Sequence, residues 1–219
     1  NNSIIERLIY VYGFDINRKD RELIKAVNKQ FKIINKSFEK EFIFITTNLR
    51  EFSEEYVTWD AMHGSALVAI GYLFEGMIKT ILIPGGNSVD LSVPSGSHPN
   101  LEPNFSSEKI SFICDGSDKK RIDKIINIKQ SKIALENLRV CWKNAGNKLN
   151  CSVCEKCIRT MLALSIADVL GQTKTFSKTL DSTAISSIKI SNDIVAAFYR
   201  EMLPYLKGKP ILREAKKHL

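Results

Sequence analysis

The chain has 219 residues, of which 44% are hydrophobic, so it can bury a sizeable core as one large domain or as one domain with a small appendage. No run approaches the roughly 18 apolar residues needed to cross a bilayer, and no secretory signal opens the chain, so we expect no membrane partner and a cytoplasmic location. The net charge of +8 would suit a nucleic acid, but the basic residues are scattered, which makes this partner the less favoured interpretation.

Short apolar runs alternate with amphipathic segments over the first 130 residues. Runs rich in β-branched and aromatic residues predict buried strands, and apolar residues spaced three or four apart predict helices. The predicted strands are 8–12, 42–45, 80–83 and 110–113, and the predicted helices are 20–37, 58–76 and 118–130. Asp20 is the expected N-cap of the first helix. A loop rich in proline and glycine, 84–108, is long enough to suggest a functional role.

The remainder of the chain contains a short predicted strand and two predicted helices. These are a strand over 138–142, a helix over 158–170 with Gly171 as its C-cap, and a last helix over 192–206 after a polar linker. Strands that alternate with crossover helices indicate a parallel sheet covered on both faces. We therefore predict an α/β fold, with a doubly wound, mainly parallel sheet in residues 1–137 and a cysteine-containing loop with C-terminal helices in 138–219.

Ligands of doubly wound sheets bind at the carboxyl ends of the strands, and three of the four predicted ends carry glycine. The residues at these ends are Gly13, Asp15, Asn48, Gly85, Gly86, Asp115 and Gly116. Asp115 has the chemistry to bind Mg²⁺, and a helix start near His63, Gly64 and Ser65 would present free N–H groups to an anion. The alternatives are ordinary turn residues for Asp15, His98 and Asp115 and a solvated basic face for Arg121.

Four of the five cysteines follow the pattern Cys141-x9-Cys151-x2-Cys154-x2-Cys157. Two ligands separated by two residues form a tight knuckle that places both sulfurs on one cation, and four thiolates select zinc before any hard ion. An iron–sulfur cluster would use the same ligands, whereas disulfides within the knuckle would close strained loops. We expect a closed, structural zinc site, with Cys114 as a separate core thiol.

The segment from Asn150 to Thr160, with Cys141-Trp142 before it, resembles the zinc motif of 7-cyano-7-deazaguanine synthases and their relatives in the PP-loop (N-type ATP pyrophosphatase) superfamily. Other matching pieces follow in order over roughly residues 8 to 170. They are Tyr12-Gly13-Phe14-Asp15, Thr47-Asn48-Leu49, His63-Gly64-Ser65-Ala66-Leu67, Gly96-Ser97-His98-Pro99, Asp115-Gly116 and Arg121-Ile122-Asp123-Lys124-Ile125.

This resemblance implies a sheet of the adenine nucleotide alpha-hydrolase (HUP) type that binds ATP and Mg²⁺. It implies an ATP-dependent C–N ligase that adenylates or phosphorylates a small carboxylate-bearing substrate, such as a deazapurine, for attack by an amine. The cofactor-binding residues would be Gly13, Asp15, Asn48, His63, Gly64, Ser65, His98, Asp115 and Arg121.

The sequence departs from the family at the phosphate loop, because Ser-Gly-Gly-x-Asp-Ser occurs nowhere in it. The strand 8–12 corresponds to the family's second strand, so we expect the first strand and its loop to lie upstream in a longer parent chain. Alternatively, another segment or subunit fills that place, or the site has been lost. The competing hypotheses are a non-catalytic zinc-stabilised module that binds RNA or a protein, and ATP-dependent modification of a macromolecule. The apolar face of the last helix would suit a homodimer or packing within its own domain.

Overall fold

The computed structural model describes residues 4–86, 95–180 and 182–206. Over this part the protein is a mixed α/β chain with two small parallel sheets. It divides into two compact units, one drawn from Asn1–Thr47 and Lys124–Leu219 and the other from Asn48–Asp123. The predicted boundary at residue 137 falls inside the first unit. Among the described helices, none combines the length and the apolar character that crossing a membrane requires.

The first unit begins with a parallel strand pair joined by a helix. β1 (Arg7–Tyr12) and β2 (Glu41–Thr46) pair along their whole length, and α1 (Arg21–Phe38) connects them. The Asp20 side chain accepts a hydrogen bond from the N–H of Leu23, which confirms the predicted cap. The core beneath α1 is formed by Tyr12, Ile16, Leu23 and Val27.

The second unit contains α2 (Leu49–Ser53), α3 (Trp59–Tyr72), β3 (Thr80–Pro84) and β4 (Ser111–Asp115). β3 and β4 pair in parallel, and one face of the pair packs on α3. The core residues are Val68, Ile83, Ile110 and Phe112. A 3₁₀ turn, Glu102–Phe105, follows the part of the 84–108 loop that lies outside the described residues, 87–94.

The α-helices of the rest of the described chain are joined by irregular segments and short 3₁₀ turns. α4 (Arg121–Ile128) contains the boundary between the units, and α5 (Lys132–Asn137), α6 (Glu155–Ile166), α7 (Ser182–Ser186) and α8 (Asp193–Met202) follow. α6 is the most deeply buried of these helices, with nine of its twelve residues buried. The face of α8 proposed for a homodimer is partly used within this unit, because Phe198 and Met202 are buried there. The homodimer itself stays a prediction.

Two expectations need correction, and a third is confirmed only in part. The predicted strand at 138–142 is irregular, because its backbone groups bond a side chain instead of a neighbouring strand. Gly171 is not the C-cap of α6, which ends at Ile166 with Ala167 as its cap, and Gly171 lies in the 3₁₀ turn Leu170–Gln172. The four described strands form two separate pairs, so parallel pairing is confirmed while a single doubly wound sheet stays a prediction.

Candidate metal centre

The four clustered cysteines converge on one point in the first unit. Their sulfur atoms all lie within 4.8 Å of one another, and all except Cys151 are buried. The Sγ atoms of Cys141 and Cys154 are 3.9 Å apart, and those of Cys151 and Cys157 are also 3.9 Å apart. The predicted grouping of these side chains is therefore confirmed.

The sulfur–sulfur distances fit a single ion. Sulfurs about 2.3 Å from a tetrahedral zinc ion lie about 3.8 Å from one another. A disulfide would require about 2.05 Å, and the cysteines are free thiols in this structure. An iron–sulfur cluster spreads its thiolates over several iron atoms, which favours wider separations than the 3.9 Å found between these pairs. The donor set and its spacing thus suit one soft or borderline ion with no open coordination position.

The knuckle places three of the ligands through local backbone geometry. The N–H of Cys154 donates to the Sγ of Cys151 at 3.3 Å, and Ser152 adopts a left-handed conformation with φ of 61°. Cys154 is the N-cap of α6, so Cys157 lies in the first turn of that helix. The positive end of a helix dipole stabilises thiolates placed at this position.

Asn150 brings the fourth ligand to the knuckle. Its side-chain oxygen accepts hydrogen bonds from the backbone N–H groups of Val140, at 2.9 Å, and Cys141, at 3.1 Å. Its side-chain nitrogen donates to the carbonyl of Leu138 at 2.8 Å. Asn150 is only 2% exposed, so these bonds replace the pairing that a strand would have supplied. From the sequence, Asn150 was interpreted only as a turn residue. Its position directly before Cys151 was the one feature that could have indicated a role in placing the ligands.

Burial and hydrogen bonding act unequally on the thiols. Burial raises the pKa of Cys154 to about 11 and raises the pKa of Cys157 as well. Burial also acts to raise the pKa of Cys151, but the N–H groups of Val153 and Cys154 bring it down to about 7. Metal binding requires deprotonated sulfur, so an ion entering this cluster would displace protons from the buried thiols.

The loop between Cys141 and Asn150 is fastened to its surroundings by a second asparagine. Asn144 accepts a hydrogen bond from Arg139 at 2.6 Å and donates to the backbone carbonyl of Asp15 at 2.8 Å. Through that carbonyl the turn after β1, where a nucleotide site was predicted, is tied to the cysteine loop. The Asp15 residue itself remains exposed.

Gly13, the other predicted residue at the end of β1, has a structural requirement for glycine. Its φ is +103°, and a Cβ there would overlap the carbonyl oxygen of Thr47 at the end of β2. Its N–H donates to Ile16 at 2.8 Å, which closes the turn. Only glycine satisfies both conditions, whether or not a ligand binds here.

The predicted helix start near His63, Gly64 and Ser65 is wrong, and a ligand-binding role for these residues stays a prediction. α3 begins at Trp59, so these residues lie in the second turn and are not at the helix start. The N–H of Gly64 is occupied by the carbonyl of Gly96 at 2.8 Å, and the N–H of Gly96 donates to Asp60 at 2.8 Å. The Gly96 peptide therefore inserts between two partners that would otherwise bond each other within the helix.

Glu102 is a residue of this region that sequence reasoning missed. It is fully buried, and both of its carboxylate oxygens accept from the backbone N–H of His98, at 3.2 and 3.0 Å. It also lies beside the Cα of Gly64. The structure thus brings His98 and Gly64 into one neighbourhood. A buried acid inside a proline-rich loop gives no periodic signal from which it could have been found.

The remaining predicted residues lie elsewhere. Asp115, at the end of β4, accepts a bond from the N–H of Gly85 at 2.7 Å through its backbone carbonyl, and Arg121 donates to the Gly86 carbonyl at 3.4 Å. Asn48 precedes α2, and its backbone carbonyl accepts from Phe52. Within the second unit, the hydrogen bonds around Asp115 and Gly85 are therefore separate from those around Gly64 and Gly96.

Comparison of the chain with protein-family models, with curated proteins and with solved structures gives no match. The resemblance to PP-loop proteins, and the ATP, Mg²⁺ and ligase chemistry that it implies, therefore remain predictions. The four-cysteine cluster rests on its own geometry.

Proposed function

We propose that this chain holds one structural zinc ion in the four-cysteine cluster. The convergence of four sulfurs within 4.8 Å carries the proposal, because no other arrangement of the described residues offers a complete tetrahedral ligand set. The ion would fasten the segment ending at Cys141 to the start of α6. With all four positions taken by protein, its role is to hold the fold together and not to activate water.

Metal analysis of the purified protein tests this. We expect one zinc per chain, and we expect cobalt substitution to give the sulfur charge-transfer bands of a four-thiolate site. Cys154→Ser should reduce the bound metal severely, whereas Cys114→Ala, which removes the thiol outside the cluster, should retain it. Equal metal content in all three proteins, or none in the parent chain prepared with zinc present, would contradict the proposal.

We further propose that this zinc protein belongs to an ATP-dependent enzyme of the C–N ligase type. The parallel pairing of the strands supports this proposal. A doubly wound sheet has the order 3-2-1-4-5, and taking its first strand away leaves two parallel pairs. The pairs β1–β2 and β3–β4 have the pairing that such a sheet would leave, and in the resemblance β1 corresponds to the family's second strand. The substrate would be a small carboxylate, such as a deazapurine acid, activated by ATP and Mg²⁺.

Calorimetric titration with ATP and Mg²⁺ tests the nucleotide part. We expect micromolar binding that weakens in Asp115→Ala, because Mg²⁺ prefers carboxylate oxygens beside phosphates. The matched control is Asp118→Ala, an exposed carboxylate three residues further on. Absence of binding, or equal affinity in both variants, would count against this site in this chain.

A second candidate function, contact with single-stranded nucleic acid, is favoured by the outer surface of the cysteine loop. Trp142 follows a metal ligand and yet is 51% exposed, with the Nζ of Lys143 lying 5.6 Å from its ring centre. No acidic residue occurs between Glu136 and Glu155, whereas basic residues do. Aromatic rings on which bases stack, together with basic side chains, are the parts of a sequence-tolerant single-strand site.

Anisotropy with a labelled oligouridine about 12 nucleotides long tests this second candidate. Trp142→Ala should weaken binding by about 1–3 kcal/mol, and Lys143→Gln should reduce the salt dependence by about 0.7 in the logarithmic slope. Trp59→Phe is the control for loss of a tryptophan elsewhere. Binding that ignores Trp142, or that is absent at low salt, rejects the nucleic-acid candidate. A protein partner would then be the next hypothesis to test for this surface.

A further inference from the structure

A buried arginine lies on the helix that carries the metal ligands. Arg159 follows Cys157 by two residues and is only 6% exposed. Its Nε lies 3.1 Å from the Oε1 of Glu155, one turn earlier in α6, and its guanidinium stacks 4.1 Å from the ring centre of Phe198 on α8. A planar guanidinium can hold a carboxylate and an aromatic face at the same time, which an ammonium group does less well.

The charge of Arg159 is incompletely matched by these two contacts. The Nε–Oε1 pair is close but is not aligned as a hydrogen bond, and Nη1 has no hydrogen-bond partner among the residues that the structure describes. Burying a charge is costly unless opposite charge and hydrogen-bond acceptors lie nearby, and the buried Nη1 of Arg159 lacks such an acceptor among the described residues.

The loaded metal cluster would supply that charge. Four thiolates around one divalent ion leave a net charge of about −2 in a buried place. We propose that Arg159 is a positioning residue for the metal centre, which offsets the negative charge of the four-thiolate site and links it, through Phe198, to α8. This inference rests on the proposed zinc site.

The first prediction from this role concerns zinc affinity. Groups that surround metal ligands change metal affinity by roughly 10- to 100-fold when they are lost. Arg159→Met should therefore weaken zinc binding by that factor, measured by chelator competition at neutral pH. The cobalt-substituted variant should keep its four-sulfur spectrum, because all ligands remain. Arg200→Met, which removes the same charge from an exposed position on α8, should bind zinc as the parent chain does.

A double-mutant cycle separates this role from a purely structural pairing with Glu155. If Arg159 only neutralises Glu155, the double variant Glu155→Gln with Arg159→Met should regain parent affinity. If Arg159 acts on the metal site, the double variant should stay as weak as Arg159→Met, and Glu155→Gln alone should bind zinc at least as tightly as the parent.

Two further variants keep the inference testable where Arg159→Met does not fold. Arg159→Lys retains the charge and should give an intermediate affinity, and Phe198→Leu removes the ring contact and should weaken zinc binding by a few-fold. Parent affinity in Arg159→Met, or recovery in the double variant, would overturn the role given to Arg159. A parent chain that binds no zinc would instead overturn the proposed zinc site, so the two failures are distinguishable.

Discussion

The cysteine loop and the Gly64 region both join segments that are far apart in the sequence, but they use different parts of the chain. In the cysteine loop, side chains make the joins, since Asn150 bonds three backbone groups and four sulfurs meet at one point. In the Gly64 region, backbone makes the join, since the Gly96 peptide enters the hydrogen-bond ladder of α3. Contacts made by side chains, as in the cysteine loop, weaken when a functional group is removed. Contacts made by closely packed backbone, as at Gly64, weaken when an atom is added.

Loss of the metal should have the largest effect on stability, because it disrupts the side-chain contacts of the cysteine loop. We expect Cys154→Ser to lower the free energy of unfolding by at least about 3 kcal/mol, because metal-binding energy and folding energy are linked in closed zinc sites. Thermal unfolding with and without a chelator measures this. The chelator should lower the melting temperature of the parent chain and of Cys114→Ala, but it should leave Cys154→Ser unchanged. Insensitivity of the parent to the chelator would refute the link.

An added methyl group at Gly64 should disrupt the backbone contact between Gly96 and α3. Gly64→Ala places a Cβ on the Gly96 carbonyl oxygen, and we expect a loss of about 2–4 kcal/mol in urea unfolding. The sign is informative, because glycine to alanine inside a helix normally stabilises by about 1 kcal/mol. Gly86→Ala, whose Cβ would meet open space, is the matched control and should change stability by less than about 0.5 kcal/mol. A stabilising Gly64→Ala would mean that the Gly96 peptide does not enter the helix.

Truncation of Asn150 sharpens the comparison at the level of single hydrogen bonds. Asn150→Ala leaves the N–H groups of Val140 and Cys141 without their acceptor and removes one of the two donors to the Leu138 carbonyl, which keeps its bond from Thr175, and we expect a cost of about 2–3 kcal/mol. The variant should also hold zinc less tightly, since Cys141 is no longer fixed. Asn104→Ala, the same change at an exposed asparagine, should be nearly neutral. Equal stability of the two variants in urea would remove Asn150 from its structural role.

The smallest effect is expected at Asp20, whose side chain caps α1. Asp20→Ala removes the cap of α1 and should cost about 1 kcal/mol, whereas Asp20→Asn keeps the acceptor and should stay within a few tenths of the parent. Urea unfolding of both variants checks this, and a loss of the same size in both would point to the charge of Asp20 instead of its cap.

The elements that the sequence predicted well are those with a strong periodic signal. α1 and the four strands are confirmed, because their apolar residues repeat over one face or form continuous buried runs. The helices α2, α5 and α7 were missed, since five or six residues hold too little of a helical period. The segment 138–142 has strand-like composition, but its hydrogen bonds go to Asn150, a partner that local patterns do not reveal.

The candidate sites also divide into those with a local sequence signal and those that depend on distant residues. The cysteine cluster was predictable because three of its ligands fall within seven residues and the coordination chemistry restricts what such spacing can do. The placement of His63 and Gly64 was not, because it depends on a peptide more than thirty residues away in the sequence. Arg159 gave only a weak sequence signal, since its burial and its contact with Phe198 arise from the packing of α8.

Hydrogen exchange at Gly64 and Gly96 would report how often the Gly96 backbone separates from α3. The amide protons of Gly64 and Gly96 are protected from solvent by each other's segment, so neither exchanges with deuterium unless the loop leaves the helix. The two amides should therefore report one shared free energy of opening, while neighbouring amides of α3 that bond within the helix stay protected longer. A ligand that holds the loop on the helix would raise that free energy, and the change could be followed before the ligand's chemistry is known.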